Sequence, residues 1–486
     1  MQKETLYRER YRPQFHLTPP SGALSDPNGM VYFDGEYHQF YQFTGRWGHA
    51  ISRDLLHWEH RPLALVGDEL GDVWSGSAVV DWRDTSGLFG GESGLVAIFT
   101  LYDQGLQSQG IAYSRDRGRT WTKYAGNPVL PNPGLKDFRD PKVFWHESSA
   151  AWVMVVSADR VVRFYRSPDL IRWTYASEFG EGCGSRAAVW ECPDLFPLAV
   201  EGGEGAVKWV LHVSIGDNEE TGGSTAQYFI GSFDGFRFVG ELPANETRWT
   251  DYGQDFYAAV SYSDVPAIDG RRIWTGWMSN WRYPFSAPTE PWRGALSVPR
   301  SLSLAKEAEA LHLIQRPVDE LKRLRTEAFE AEALPVCDRT VAVGFRGTSF
   351  EFELAIDCGD AEEVGIRLCV SGAEETVIGY DAARREWFLD RSRSGFTGVE
   401  GRNGQPANFA RRMFAPRIRS SRRLTLRGYV DASSVEAFAD DGLQTFTALI
   451  YPSPDSDGVE LYAKGGTAVV EYLRLYRLRS VWHDDD

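Results

Sequence analysis

The sequence predicts an all-β protein, a five-bladed β-propeller followed by a C-terminal β-sandwich. Three observations lead there. Composition is the first: 48 Gly, 17 Trp, 21 Tyr and 27 Phe in 486 residues favour turns and aromatic-rich strands over long helices. The second is a recurring element: Ser52-Arg53-Asp54 with Trp58, Ser114-Arg115-Asp116 with Trp121, Ser167-Pro168-Asp169 with Trp173, and Ser232-Phe233-Asp234 with Phe238. Each copy is a Ser-x-Asp turn followed by an aromatic side chain, and the copies recur every roughly 50 to 65 residues, near the period of propeller arrays. The third is the clear strand alternation of the last third of the chain.

A four-stranded blade cannot bury its faces alone, so aromatic side chains of one blade must pack on the next. Four copies, with room before and after, give five blades ending near Leu304, hence a propeller over residues 1–304. Its first hairpin runs from Met30 to Tyr41 around Asp34-Gly35. Residues 305–335 are rich in Glu, Ala, Leu and Lys and read as a linker, with a short helix over Val318 to Phe329. Strands resume at Val336, as in Phe350-Glu351-Phe352-Glu353-Leu354 and Val435 to Phe438, and make residues 336–486 a sandwich.

The formal net charge of −16 argues against nucleic acid or an anionic membrane surface as partner. Five cysteines, irregularly spaced, form neither a disulfide framework nor a metal site. No apolar run of about 18 residues is present to span a membrane. Met1 to Arg12 is charged and lacks the apolar core of a signal peptide, which points to the cytoplasm; removal of such a peptide beforehand would leave the same pattern and a secreted protein. The oligomeric state is open.

Three carboxylates stand beside proline in stretches with strand character: Asp26 in Ser25-Asp26-Pro27-Asn28-Gly29, Asp140 in Arg139-Asp140-Pro141, and Glu191 in Trp190-Glu191-Cys192-Pro193. A residue before proline is pushed to extended geometry, and Asn-Gly tolerates positive φ, so Asp26 sits on a tight turn. Inner strands of a propeller converge on its axis, so acids from different blades can meet in one funnel. The chemistry that needs such a set is retaining glycoside hydrolysis, with one carboxylate as nucleophile and one as acid/base. Glu191, desolvated by Trp190 and Cys192, would be the acid and Asp26 the nucleophile, while Asp140 and Arg139 would bind sugar hydroxyls. No metal or organic cofactor is implied.

These motifs resemble glycoside hydrolase family 32, the β-fructosidases. Asp26-Pro27-Asn28-Gly29 is similar to its nucleophile motif, Arg139-Asp140-Pro141 to its transition-state-stabiliser motif and Glu191-Cys192-Pro193 to its acid/base motif. Trp74-Ser75-Gly76-Ser77, Tyr41-Gln42, Asp251 to Ala258, Gly276-Trp277 and Pro291-Trp292 match further family stretches. The resemblance implies the propeller-plus-sandwich fold and a carbohydrate substrate. It also implies substrate contacts from Ser25, Gln42, Trp47, Trp74, Ser75, Arg139, Cys192, Tyr257, Trp277 and Trp292. Two departures lie at the pocket: Ser25 stands where the family has Asn, and only Phe43 to Trp47 spans a usually longer loop, leaving a wider mouth with Trp47 for stacking. The function read from this is an exo-acting fructan β-fructosidase. An invertase, a fructosyltransferase and a fructan-binding protein that has lost catalysis are the alternatives.

Overall fold

The computed structural model describes residues 6–483 except 204, 244–245, 285 and 308. Five four-stranded antiparallel sheets form the propeller. Blade I comprises Pro27–Phe33, Glu36–Gln42, Trp47–Ser52 and Glu59–Leu65, and blade II Asp72–Asp81, Gly94–Asp103, Leu106–Ser114 and Thr122–Lys123. Blade III comprises Phe138–His146, Ala151–Ala158, Val161–Ser167 and Thr174–Phe179, and blade IV Trp190–Ala199, Val207–Asn218, Gly223–Phe233 and Phe238–Gly240. Blade V comprises Tyr257–Ser261, Arg272–Trp277, Arg300–Glu307 and Ala310–Pro317.

The Ser-x-Asp repeat does the same job in each of the first four blades, turning the third strand into the fourth. Ser52 Oγ donates to Asp54 at 3.1 Å, Ser114 Oγ to Asp116 at 2.8 Å and Ser167 Oγ to Asp169 at 3.1 Å. Asp234 accepts from the backbone N–H of Phe236 and Arg237 at 2.8 and 2.7 Å. These are Asx turns, in which a carboxylate replaces the backbone acceptor of an ordinary turn. Blade V lacks the device and instead carries a long excursion, between Trp277 and Arg300, beside the mouth of the propeller.

The segment expected to be a linker is strand along most of its length. Arg300–Glu307 and Ala310–Pro317 complete blade V, so the propeller extends past Leu304, and the expected helix shrinks to a 3-10 turn over Asp319–Leu324. Arg325–Arg346 then runs as one strand paired along Gly458–Leu478. It is an edge strand pairing with a single neighbour, so its Glu, Arg and Thr side chains face water and imitate the composition of a linker.

The second domain is a sandwich of two joined sheets around one apolar core, with Phe350, Phe352, Ile366, Leu389, Phe446 and Leu473 all fully buried. Gly458–Leu478 belongs to both sheets. Its first half pairs with Glu363–Val370 and its second with Phe350–Asp357. The crossing falls at Gly465 and Gly466, where φ is 65° and 154°.

Propeller and sandwich meet across a buried polar seam. Arg300 bridges Asp251 (3.0 Å) and Glu436 (2.6 Å), Asp251 accepts from the backbone N–H and hydroxyl of Thr447, and Arg391 pairs with Asp255. His16 is held between Asp431 (2.7 Å) and Glu436 (2.9 Å).

Candidate active site

All five innermost strands carry a bulge at the same level. Their register slips between Asn28 and Val31, Val73 and Gly76, Arg139 and Lys142, Glu191 and Asp194, and Tyr257 and Val260. A bulge leaves one residue unpaired and re-aims its neighbours. Proline suits that position because it has no N–H to contribute to the ladder, which explains Pro141 and Pro193, while Pro27 opens its strand just ahead of the bulge. Left-handed backbone follows at Gly29, Asp140, Cys192 and Ala258, with φ of 51°, 63°, 45° and 53°. Three of the four are not glycine, a strain the surrounding sheet must hold in place. This ring of bulges turns Asp26, Asp140 and Glu191 toward one another at the axial mouth.

Cys192 joins the first two acids. Its thiol lies 3.8 Å from Asp26 Oδ2 and 3.6 Å from Asp140 Oδ2, and its backbone N–H donates to Asp140 Oδ2 at 2.9 Å. Ser75 Oγ donates to Asp26 Oδ2 at 2.7 Å, while Asp26 Oδ1 is buried with no partner. Burial first, and then the charge of Asp140, push the Asp26 carboxyl up to about 7, against the Ser75 hydrogen bond. Asp140 is pushed up to about 6 by burial, opposed by the Arg139 guanidinium and supported by Glu191. The Cys192 thiol is raised far above its ordinary range by burial and by both acids, so it stays protonated and donates.

Arg139 Nη2 donates to Glu191 Oε1 at 2.8 Å and Nε reaches the same oxygen at 3.2 Å; Tyr257 Oη donates to Glu191 Oε2. Burial opposes the Arg139 charge, but Glu191 and Asp140 more than offset it and hold the guanidinium pKa above its ordinary value. Arg139 is itself fixed by Asp137 and by Gln107 Oε1 at 3.2 Å, and Gln107 also accepts the Phe138 N–H at 2.7 Å. Asp140 N–H donates to Thr100 Oγ1 at 2.9 Å. Sequence reading missed Gln107, Thr100 and Asp137; only Asp137 carried any signal, two residues ahead of Arg139.

The expected desolvation of Glu191 by Trp190 is not what the structure shows. Strand alternation sends Trp190 to the opposite face, fully buried, with Nε1 bonded to Ser185 O at 2.9 Å and its ring against Phe229. Polar partners surround Glu191 instead.

The other expected substrate residues divide. Ser75, Arg139, Cys192 and Tyr257 join the carboxylates directly. Trp277 packs 6.4 Å from Tyr257 and 5.0 Å from Trp281, with a buried Nε1 that has no partner. Trp74, half-buried, stacks on Tyr102 at 3.9 Å next to Ser75. Ser25 and Gln42 flank the nucleophile turn: Ser25 N–H donates to Gln42 O at 3.1 Å, Gln42 N–H to Asp26 O at 3.0 Å, and the Gln42 amide to Val73 O at 3.1 Å.

Trp47 and Trp292 are corrections, because neither offers a face to a ligand. Trp47 is a fully buried strand residue that packs on Phe40 and Phe99 and donates to Trp74 O at 2.9 Å. Trp292 is buried under the Arg12 guanidinium, 3.7 Å from its ring. The short loop ahead of Trp47 is a turn closed by Phe43 N–H to Arg46 O at 2.8 Å, and beside it Arg46, Asp72, Tyr102 and Asp103 line an open recess of about 540 Å³.

Comparison with known proteins agrees with this architecture. Residues 16–317 match the glycosyl hydrolases family 32 N-terminal domain and residues 320–477 the family 32 C-terminal domain. A levanase of Bacillus subtilis (strain 168) is 48% identical over 98% of this chain and 72% of its own length. An extracellular exo-inulinase of Aspergillus awamori is 36% identical over 98% of this chain and 96% of its own. The crystal structure of exo-inulinase from Aspergillus awamori superposes with a TM-score of 0.89 at 35% identity, covering 98% of this chain and 100% of that one. The fold and the paired acids define a glycoside hydrolase. The chain belongs to glycosyl hydrolases family 32. Among the described residues no helix is long and apolar enough to cross a membrane.

Proposed function

We propose that the chain is an exo-acting fructan β-fructosidase that releases terminal β-D-fructofuranosyl units with retention of configuration. The observation that carries this reading is the meeting of Asp26, Asp140 and Glu191 around Cys192 at one mouth of the propeller. Below the acids the axis closes to a cavity of about 10 Å³ lined by Pro27, Ser77, Lys142, Pro193 and Val260. So little room beneath the acids suits a chain end better than an internal linkage, which needs space on both sides of the scissile bond.

Asp26, positioned by Ser75, attacks the anomeric carbon as the bond to the leaving oxygen breaks, and Glu191 delivers the proton to that oxygen. Glu191 then takes a proton from water as it displaces Asp26, releasing fructose. Tyr257, whose own proton is held tightly by burial, and Arg139 keep Glu191 in place. Asp140 accepts ring hydroxyls. The recess past the Trp74–Tyr102 stack would receive the leaving saccharide, which suits long chains. The higher identity to the levanase supports levan ahead of inulin.

Product analysis on sucrose, a short inulin-type oligosaccharide, inulin and levan tests this: fructose as the sole early product from both polymers, absent with Asp26→Asn, is expected. Internal fragments would overturn the exo reading. The kcat/KM profile should fall along an acid limb between about pH 7 and 6, as the Asp26–Asp140 pair takes up a proton and the nucleophile is neutralised. A limb near pH 4 would show that water in the mouth solvates the pair. Ser25→Asn, adding reach for one more substrate hydrogen bond, is expected to tighten fructose binding by about 0.5–1.5 kcal/mol, read as a several-fold lower product-inhibition constant.

A further inference from the structure

The innermost strands have two ends, and the catalytic acids use one. At the other end a second pocket of about 580 Å³ opens between the ends of the inner strands of blades II to V. His146, in its lining, lies six residues along the same strand from Asp140, roughly 20 Å at 3.3 Å per residue. Lys142 lines both this pocket and the small cavity under the acids, so its side chain lies between the two.

Three features of the lower pocket point to the chemistry of its ligand. Trp82 is 57% exposed, far above what a packing tryptophan needs. Its single polar atom is already committed, Nε1 donating at 2.9 Å to Asp264, which also accepts the Val80 N–H at 2.9 Å. Phe33 braces the ring edge-on at 5.6 Å. The indole is thus a fixed platform with a bare face, and nothing within the described residues covers it.

Charge is the second feature. The lining holds three cations, Arg83, Lys142 and Arg272, and three carboxylates, Asp81, Glu147 and Asp264. A balanced wall has no net charge to draw in an anion or cation, and it offers donors and acceptors together, as polyhydroxylated neutral ligands require. The third feature is donor capacity left over on the floor. The Arg272 guanidinium bonds to Tyr262 O at 3.2 Å and reaches Ser261 Oγ at 3.5 Å, and among the described residues it forms no ion pair. Burial pushes its pKa down, against the charges of Asp194 and Asp264. Flat aromatic surface beside convergent polar groups in a pocket of several hundred Å³ is the general pattern of a small-ligand site.

We propose that this lower pocket is a second saccharide site, which stacks a sugar ring of the polymeric substrate on Trp82 and binds its hydroxyls through Arg272 and Asp264. This rests on the fructan-hydrolase reading for the identity of the saccharide, not for the existence of the pocket. A site facing away from catalysis cannot feed a chain end into the mouth. It can hold another stretch or branch of the same polymer, raising the local concentration of chain ends around the enzyme.

The test separates the two sites. Asp26→Asn protein titrated calorimetrically with a levan-type oligosaccharide is expected to bind two equivalents, and Asp26→Asn/Trp82→Ala one. In otherwise wild-type enzyme, Trp82→Ala should leave kcat/KM for sucrose unchanged while raising KM for levan about ten-fold. Arg272→Gln, checked for intact folding by its near-ultraviolet circular dichroism, should reproduce that split. One equivalent bound by Asp26→Asn, or two that survive both lower-pocket substitutions, would overturn the proposal. Failure of the function reading looks different: wild-type enzyme would release no fructose from any fructoside, while a panel of neutral oligosaccharides titrated into it would still report whether the lower pocket binds one and loses it with Trp82.

Discussion

Asp26→Asn is expected to lower kcat by at least about four orders of magnitude on every fructoside while leaving substrate binding intact, the size of loss seen when a nucleophile is deleted. Asparagine keeps the shape of the side chain and can still accept from Ser75 Oγ, but it has no negative oxygen to attack with. Binding should hold or improve, because the substitution also removes repulsion between Asp26 and Asp140. Folding should improve at high pH. The folded-state pKa of Asp26, about 7, lies above its ordinary value of 3.8, so its stability contribution is full below about pH 4 and is lost as pH rises through 7. Thermal unfolding should therefore show Asp26→Asn near wild type at pH 4 and more stable at pH 8, by at most about 4 kcal/mol. Glu191→Ala should differ in kind. Its deficit of about 10²–10⁴ on sucrose should shrink in the first step for an aryl fructofuranoside whose leaving group needs no proton, so that fructosyl-enzyme accumulates. Equal deficits on both substrates would remove Glu191 from the acid role.

The three acids were legible because each is set by its own neighbours. The prolines mark Asp26, Asp140 and the Glu191-Cys192-Pro193 turn within a few residues, although Asp140 and Cys192, each directly before a proline, take left-handed rather than extended backbone. The blade count was legible for a similar reason: the Ser-x-Asp turn is a local hydrogen-bonding unit that recurs. What failed depends on facing. Trp190 and Trp47 adjoin or precede site residues in sequence, but strand alternation turns both into the packing between blades. Trp292 was hidden by Arg12, 280 residues away, which no local pattern reports. The first half of the edge strand Arg325–Arg346, up to Pro335, was read as a linker because a strand with one wet face and a single neighbour needs little apolar sequence. Gln107 and Thr100 hold Arg139 and Asp140 from blade II, so their role exists only once two blades are packed together.

The same long-range logic gives His16 a large expected effect on stability, here a stabilising one that its replacement removes. Its ring lies in the seam between the domains, 2% exposed, with Asp431 on Nδ1 and Glu436 on Nε2. Two carboxylates facing two ring nitrogens require both nitrogens to donate, so the imidazolium form fits the seam. Burial opposes the charge, but the two carboxylates outweigh it and raise the His16 pKa to about 9 from 6.5. A raised histidine stabilises fully below its unfolded value and loses that contribution as pH climbs through the folded one. The wild-type protein is therefore expected to lose about 3 kcal/mol between pH 6.5 and 9 from this group, an order-of-magnitude figure from the size of the shift. His16→Gln, which can donate to one carboxylate but carries no charge, should be less stable than wild type at pH 6 and lose less as pH rises, the two curves converging above pH 9. Glu436 supplies the reason that the effect spreads beyond one residue. It also accepts the Val298 N–H at 2.9 Å and pairs with Arg300, so it ties the N-terminal segment and blade V to the sandwich at once. Leaving it short of one cation in a buried seam should loosen all three together, seen as earlier exposure of the backbone amides of Val298 and Thr447 to hydrogen exchange. Parallel stability curves for wild type and His16→Gln across pH 6.5 to 9 would mean that the ring is neutral in the folded protein and that Arg300 alone neutralises Glu436.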